Sequence, residues 1–242
     1  MFRCSMMPAV AAGQGLPRSY GSWSALVQVF ALVVAAALAL AGALAGTAAG
    51  ADRPVRIVAL GDSLTAGLGL PANAAFPARL EQALTAKGMA VEITNAGVSG
   101  DTASAALARL EWSVPEGTDA VIVELGANDT LRGIDPKLTR EALEGIVGRL
   151  RQRRIEVLLA GMRAAPNLGP DYGRDFDAIY ADLAAQNDLL LYPFFLDGVA
   201  TDAKLNQRDG LHPTAAGVDA IVARILPKAE ELVARVRDKR GL

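Results

Sequence analysis

The fold of this chain is decided by the stretch Val55-Arg56-Ile57-Val58-Ala59-Leu60-Gly61-Asp62-Ser63-Leu64-Thr65. Its first six residues form an apolar run of the length typical of a short buried β-strand. A serine at the end of such a strand, two residues after a glycine, lies where the backbone turns sharply and side chains face a crevice. Ser63 is therefore a candidate nucleophile. The alternative is that it caps the next helix or tightens a turn.

Apolar strand-like runs alternate with amphipathic helical stretches along the rest of the chain. Further strands are predicted over 89–94, 119–125, 155–160 and 189–192, and helices over 74–87, 103–110, 136–153, 176–186 and 213–237, the last with a kink at Pro227. This alternation requires crossover connections, which predict an α/β fold with a parallel sheet and helices on both faces. Ligands bind such sheets beyond the carboxyl ends of the strands.

Glycine-containing polar segments follow the predicted strands at that edge. Ser63 follows the first strand, Gly97-Val98-Ser99-Gly100 the second, Gly126-Ala127-Asn128-Asp129 the third, and the loop 197–212 the fifth. Each segment alone could be an ordinary turn. Their shared position at one edge of the sheet favours a functional site.

The stretch Asp209-Gly210-Leu211-His212-Pro213 contains the single histidine of the chain. A serine hydroxyl is a weak nucleophile until a base lies within hydrogen-bond reach, so His212 is the candidate base for Ser63. Asp209 is the candidate partner that orients the imidazole and stabilises its charged form. The alternative is a histidine at a helix start that pairs with a loop aspartate. One Asp and one His are too few for a metal site, so no metal is expected.

Acyl transfer also needs hydrogen-bond donors for the developing oxyanion. The candidate donors are the backbone N–H groups of Ser63 and Gly100 and the side-chain amide of Asn128. The alternatives are a helix-entry turn for Gly100 and a loop cap for Asn128.

Four blocks of the chain resemble those of the GDSL, or SGNH, hydrolases. They are Gly61-Asp62-Ser63-Leu64, Gly100, Gly126-Ala127-Asn128-Asp129 and Asp209-Gly210-Leu211-His212-Pro213. The resemblance covers nearly all of residues 55–235 and is greatest to bacterial periplasmic esterases of the thioesterase I / protease I / lysophospholipase L1 and arylesterase type. It implies a three-layer α/β/α sandwich with a five-stranded parallel sheet. It also implies that Ser63 is the nucleophile, His212 the base and Asp209 its orienter, with Ser63, Gly100 and Asn128 as oxyanion donors.

One position departs from this family's pattern, and another excludes a different family of hydrolases. Ala127 stands where similar members often have glycine, which narrows the space beside Asn128 without implying another reaction. Thr65 stands where the second glycine of a GxSxG elbow would be, so the chain is not an ordinary α/β-hydrolase.

Residues 1–51 differ in composition from residues 52–242. They contain no Asp or Glu, and their apolar run over 25–45 is followed by Ala49-Gly50-Ala51, which fits a signal-peptidase site. We expect a signal peptide over 1–51, with an uncleaved membrane anchor as the alternative because the run is long enough to span a bilayer. The hydrolase domain is then 52–242. It has no cysteine, so it has no disulfide and no thiolate chemistry.

The sequence thus predicts an exported, periplasmic or secreted serine esterase or thioesterase without a cofactor. Apolar residues on loops near the catalytic edge are predicted to line an apolar groove for an acyl ester or lipid substrate, with ordinary loop packing as the alternative. These residues are Leu68, Leu70, Pro71, Leu131, Ile134, Met162, Pro166 and Leu168. Transient contact with membrane lipid is a further expectation. The mildly acidic charge balance argues against nucleic acid. A carbohydrate O-acetyl esterase and a non-catalytic envelope binding protein remain as alternatives.

We expect the protein recovered from its host's cell envelope to begin near Asp52. The acid-free, apolar segment ahead of this residue ends in small side chains, which signal peptidases cleave. N-terminal sequencing measures the start directly. A full-length chain in the cytoplasm would contradict export, and a full-length chain in the membrane would favour the anchor.

Overall fold

Five parallel strands form one sheet in the computed structural model, which describes residues 53–241. The strands are β1 (Val55–Gly61), β2 (Val91–Gly97), β3 (Ala120–Glu124), β4 (Glu156–Ala160) and β5 (Leu190–Tyr192), in the spatial order β2-β1-β3-β4-β5. The predicted α/β fold with a five-stranded parallel sheet is confirmed. The predicted signal peptide over 1–51 lies outside the described residues and stays a prediction.

Eight α-helices and two short 3₁₀ helices connect the strands within residues 53–241. They are α1 (Ser63–Ala66), α2 (Phe76–Ala86), α3 (Ala103–Ala108), α4 (Leu110–Ser113), α5 (Ala127–Leu131), α6 (Pro136–Gln152), α7 (Pro170–Asn187) and α8 (Ala215–Arg240), with 3₁₀ turns at Ala72–Ala74 and Pro166–Leu168. Helices α2 and α8 pack together on one face of the sheet, and α3, α6 and α7 line the other. In this described part of the chain, no helix has both the length and the apolar character to cross a membrane.

The strand register places the carboxyl ends of β1, β2 and β3 level with one another. Gly61 at the end of β1 pairs with Gly97 on one side and with Glu124 on the other. Because the strands are parallel, the three loops that leave them begin side by side. This alignment brings the segments with predicted site residues to one edge.

The central strands are buried on both faces, as their continuous apolar sequences predict. All five residues of β3 are buried, and so are the middle residues of β1. The edge strand β2 differs, because several of its side chains are exposed. Phe76 of α2 packs edge-to-face against Phe195 after β5, with ring centroids 4.9 Å apart, so the helical layer is tied to the last strand's loop.

Several predicted element bounds differ from the structure. Strand β2 ends at Gly97 rather than near residue 94, because pairing with β1 continues to Gly61. Helix α7 begins at Pro170 rather than at residue 176. Proline suits the first helical position because it has no N–H to leave unpaired there. The prediction began at Phe176, nearly two turns later.

The last helix begins at Ala215 rather than at Pro213. The Thr214 hydroxyl accepts a hydrogen bond from the N–H of Gly217 and so caps the helix. The helix is continuous through Pro227, which lacks the N–H that would bond the carbonyl of Ala223. Both residues are exposed, so water can satisfy that carbonyl.

Candidate active site

Ser63 is the first residue of α1, directly after the end of β1. The Asp62 side chain caps this short helix by accepting a 2.9 Å hydrogen bond from the N–H of Leu64. Glycine is required on both sides of the turn. A Cβ at Gly61 would lie 2.8 Å from the carbonyl oxygen of Glu124, and a Cβ at Gly97 would lie 2.8 Å from that of Asp62. The turn can therefore pack tightly against both neighbouring strands.

The structure brings Ser63, His212 and Asp209 together in one chain of hydrogen bonds. Ser63 Oγ lies 2.9 Å from His212 Nε2, and His212 Nδ1 lies 2.8 Å from Asp209 Oδ2. The serine is nearly buried, and the His212 side chain is 19% exposed. A base within reach of the hydroxyl, itself held by a third group, is the arrangement that activates a serine.

Asp209 is held by the backbone of its own turn. Its Oδ1 accepts hydrogen bonds from the N–H groups of His212 at 3.0 Å and Leu211 at 2.9 Å. Gly210, between Asp209 and Leu211, has φ of 71°. These two backbone bonds, followed by the bond to the His212 ring, lower the pKa of Asp209 to about 2. The carboxylate is then ionised and can only accept hydrogen bonds. Nδ1 of His212 therefore carries a proton, and Nε2 is left to accept the one from Ser63.

Gln207 joins the loop of His212 to the loop that follows Ser63. Its side-chain amide donates to the carbonyl oxygens of Leu68 at 2.7 Å and Pro213 at 3.0 Å, and its backbone N–H donates to the carbonyl of His212 at 2.7 Å. Nothing in the sequence pattern singled out Gln207, because an isolated polar loop residue carries no periodicity.

The predicted oxyanion donors lie around the serine turn. Asn128 lies in the first turn of α5, where Gly126 rather than Asn128 occupies the N-cap position. The Asn128 amide donates to Asp62 Oδ2 at 3.1 Å. An amide nitrogen has two hydrogens, so the second remains available for an oxyanion. Gly100 follows β2 with φ of 89°, a conformation that glycine adopts without strain.

Two buried carboxyl groups lie beneath the serine turn. Burial raises the pKa of Asp62 to about 6. Burial, and then the proximity of Asp62, raise the pKa of Glu124 well above its usual range. Glu124 Oε2 accepts a 2.8 Å hydrogen bond from the Thr65 hydroxyl. These pKa directions favour a neutral Glu124 beside an Asp62 that is ionised above about pH 6, where it orients Asn128 best.

Asp129 connects the segment of Asn128 to α3 and α6. Its carboxylate accepts the N–H of Ala103 at 3.0 Å and the hydroxyl of Thr139 at 3.0 Å. The side chain is fully buried, and this burial raises its pKa. Sequence reasoning assigned no role to Asp129, although an acidic residue a few positions after a buried strand is a signal of such a polar anchor.

Of the eight apolar loop residues predicted to line a groove, seven are exposed or half-buried. The exposed ones are Leu68, Pro71, Leu131 and Pro166, and the half-buried ones are Leu70, Ile134 and Leu168. Met162 is instead buried in the core, so its prediction as a groove residue was wrong. The sequence analysis missed the exposed Leu211, which directly precedes His212.

A separate cavity of about 830 Å³ lies at the opposite edge of the sheet, by the amino ends of β4 and β5. Charged side chains from α6 and α8, among them Arg151 and Lys239, line much of it. None of the candidate site residues contributes to its walls. Among residues 53–241, no three His, Cys, Asp or Glu side chains are grouped as metal ligands.

Comparison with known proteins agrees with this geometry. Residues 59–220 match the GDSL-like Lipase/Acylhydrolase family. The chain belongs to this family. It is 36% identical over 178 residues to Esterase TesA of Pseudomonas aeruginosa, which covers 73% of this chain and 89% of TesA.

Two further relatives of this GDSL-family chain are closely similar. Thioesterase 1/protease 1/lysophospholipase L1 of Escherichia coli (strain K12) is 40% identical over 158 residues, which are 65% of this chain and 74% of the relative. The crystal structure of AlinE4, described as an SGNH-hydrolase family esterase, is 46% identical with a TM-score of 0.63, and the match covers 74% of this chain and 96% of AlinE4.

We expect Asn128→Ala to lower kcat by roughly 10²–10³-fold with little change in KM. The lost amide acts on an oxygen whose negative charge peaks in the transition state, so substrate binding should hardly change. Asn128→Asp should be worse, because the new carboxylate would face both Asp62 and the oxyanion. Steady-state kinetics and thermal unfolding on the same samples make the test. A normal kcat with a lowered Tm would leave Asn128 only a structural role.

Proposed function

We propose that this chain hydrolyses acyl esters through a covalent acyl intermediate on Ser63. Its family membership makes it a hydrolase of ester bonds. The observation that carries the proposal is the hydrogen-bond chain from Ser63 Oγ through His212 to Asp209. A hydroxyl with a base 2.9 Å away is poised to lose its proton as it attacks a carbonyl.

In the proposed acylation step, Ser63 Oγ attacks the ester carbonyl while its proton moves to His212 Nε2. Asp209 stabilises the imidazolium that forms. The tetrahedral oxyanion accepts hydrogen bonds from the N–H groups of Ser63 and Gly100 and from the Asn128 amide. When the intermediate collapses, His212 returns the proton to the departing alcohol or thiol. Water then attacks the acyl-Ser63 ester by the same steps and releases the carboxylic acid.

We propose an apolar acyl group as the substrate's common feature, in a lysophospholipid, an aryl ester or an acyl thioester. Exposed Leu68 follows the serine turn, Leu131 ends the helix of Asn128, and Leu211 precedes His212. Transfer of an acyl chain onto such side chains is favourable by about 0.8 kcal/mol per buried methylene. The names of the relatives from P. aeruginosa and E. coli agree with this class.

We also propose that the enzyme acts after export from the cytoplasm. The support is the sequence of residues 1–51, with its apolar run and small-residue exit. Esters of the cell envelope would then be within its reach.

We expect Ser63→Ala and His212→Ala each to remove nearly all turnover while the fold stays intact. The two side chains act as a unit, so the loss of either should cost almost as much as the loss of both. Asp209→Asn should also lower turnover severely, but less than Ser63→Ala or His212→Ala, because Asp209 orients the base without touching substrate. Ester hydrolysis is measured beside circular dichroism of each variant. Near-normal kcat in His212→Ala would refute the triad, since the chain has no second histidine.

We expect kcat/KM to rise with acyl length from acetyl to medium chains in a series of p-nitrophenyl esters. Each added methylene buries apolar surface against the exposed leucines Leu68, Leu131 and Leu211. Leu211→Ser should flatten this dependence, while Leu138→Ser, at an exposed leucine near the start of α6, should leave it unchanged. Fast hydrolysis of acetylated sugars with no gain from longer chains would contradict the apolar-chain proposal and favour an O-acetyl esterase.

A further inference from the structure

Three separate chain segments supply the proposed oxyanion donors. Ser63 belongs to the turn after β1, Gly100 to the loop after β2, and Asn128 to α5 after β3. Donors for a transition state must keep their relative positions to a fraction of an ångström, because displacements near 1 Å can cost about 10²-fold in rate. Some contacts must therefore hold these segments at the correct spacing.

Arg109 bridges the first two of these segments with one guanidinium group. Its Nη2 donates to the carbonyl oxygen of Gly61 at 3.0 Å, and its Nε donates to Asp101 Oδ2 at 2.6 Å. Gly61 lies two residues before Ser63, and Asp101 directly follows Gly100. The remaining nitrogen, Nη1, donates to the Ser113 hydroxyl at 2.7 Å, which fixes the plane of the guanidinium.

Backbone hydrogen bonds around these contacts join the turn after β1 to the loop that contains Gly100. The Gly61 carbonyl also accepts the N–H of Val98 at 3.0 Å, and the N–H of Asp101 donates to the carbonyl of Val98 at 3.1 Å. These two bonds hold the turn from Val98 to Asp101, which contains Gly100, against the end of β1. Arg109 contacts Gly61 and Asp101, one residue of each bond. The Arg109 and Asp101 side chains are only 21% and 14% exposed, so their ion pair is shielded from solvent.

The other two pairs of segments have contacts of their own. Arg132, at the end of α5, donates to the Gly100 carbonyl at 2.7 Å and so links the second and third segments. The bond between Asn128 and Asp62 links the third and first. With Arg109 between the first and second segments, side chains join all three pairs of segments.

We propose that Arg109 is a positioning residue for the oxyanion hole and that it sets the spacing between the Ser63 and Gly100 N–H donors. The inference rests on the proposed acyl-enzyme function. Arg109 touches no reacting atom and acts through Gly61 and Asp101. Its planar, forked donors suit this task, because they hold two acceptors in a fixed relative geometry that a lysine ammonium cannot reproduce.

A purely structural role is the competing explanation, and Arg153 offers a matched control for it. Arg153 is also a partly buried arginine, and its Nη2 donates to the carbonyls of Val114 at 2.7 Å and Pro115 at 3.0 Å, just after α4. Both arginines therefore anchor the α4 region, but only Arg109 also contacts the serine turn and the Gly100 loop. Their loss should affect stability similarly and catalysis differently.

The test compares Arg109→Met, Arg109→Lys and Arg153→Met in the full domain. Competent sites are counted by the amplitude of labelling with a fluorophosphonate, so that kcat refers to folded enzyme. We expect Arg109→Met to lower kcat for a p-nitrophenyl ester by about 10–10²-fold, with KM within about twofold. The Ki of an alkyl boronic acid, which forms a tetrahedral adduct on a serine, should rise in parallel. The kcat and the boronic acid Ki of Arg109→Lys should lie between those of Arg109→Met and the parent enzyme.

Arg153→Met should lower Tm but leave kcat and the boronic acid Ki near the parent values. Unchanged kcat per labelled site in Arg109→Met would overturn the inference, and so would equal kcat losses in Arg109→Met and Arg153→Met. If Arg109→Met does not fold, Arg109→Lys and Asp101→Asn decide the matter by the same measurements. A Ser63→Ala enzyme that stays active would instead refute the proposed function, so the two failures can be told apart.

Discussion

The level ending of strands β1, β2 and β3 is the constraint on which the site depends. Gly61, Gly97 and Glu124 lie side by side in the sheet, and the serine turn packs directly against this row. No side-chain carbon fits at Gly61 or Gly97 without striking backbone oxygen. A bulkier residue at either position would lift the turn away from its neighbours. The sheet therefore fixes where the serine turn and the loops after β2 and β3 begin, and side-chain contacts such as those of Arg109 act within that frame.

Three buried carboxyl groups next to these strand ends hold the site loops in place, although their burial costs electrostatic free energy. Asp62, Glu124 and Asp129 are all fully buried, and burial raises the pKa of each. A buried carboxyl group is costly unless it is hydrogen-bonded, and these three accept hydrogen bonds from the segments that carry the proposed oxyanion donors or that directly follow them. A hydrophobic replacement would remove that cost and would also remove the acceptors that orient Asn128 and the start of α3. Buried polar groups of this kind favour one arrangement of loops over others.

Much of the fold and site could be predicted because the signals are local in the sequence. Strands buried on both faces give continuous apolar runs, and their alternation with helices leaves a parallel sheet as the favoured arrangement. The single histidine left one candidate base for Ser63. Element bounds were less accurate, as at Pro170, because pairing and capping rather than apolar periodicity decide where an element ends. Met162 was misplaced because an apolar loop residue has the same local signature whether it faces a groove or the core.

By itself, the sequence determined the order of strands and helices along the chain, the identities of Ser63, His212 and Asp209 as candidates, and the composition that separates residues 1–51 from 52–242. Only the tertiary structure decided which polar side chains hold the site segments together. Arg109 reaches Gly61 across 48 positions of sequence, and Gln207 reaches Leu68 across 139. Such partners depend on strand register and loop packing, and no local pattern encodes them. The residue types indicate which reaction is possible, but long-range backbone geometry sets the distances between the reacting groups.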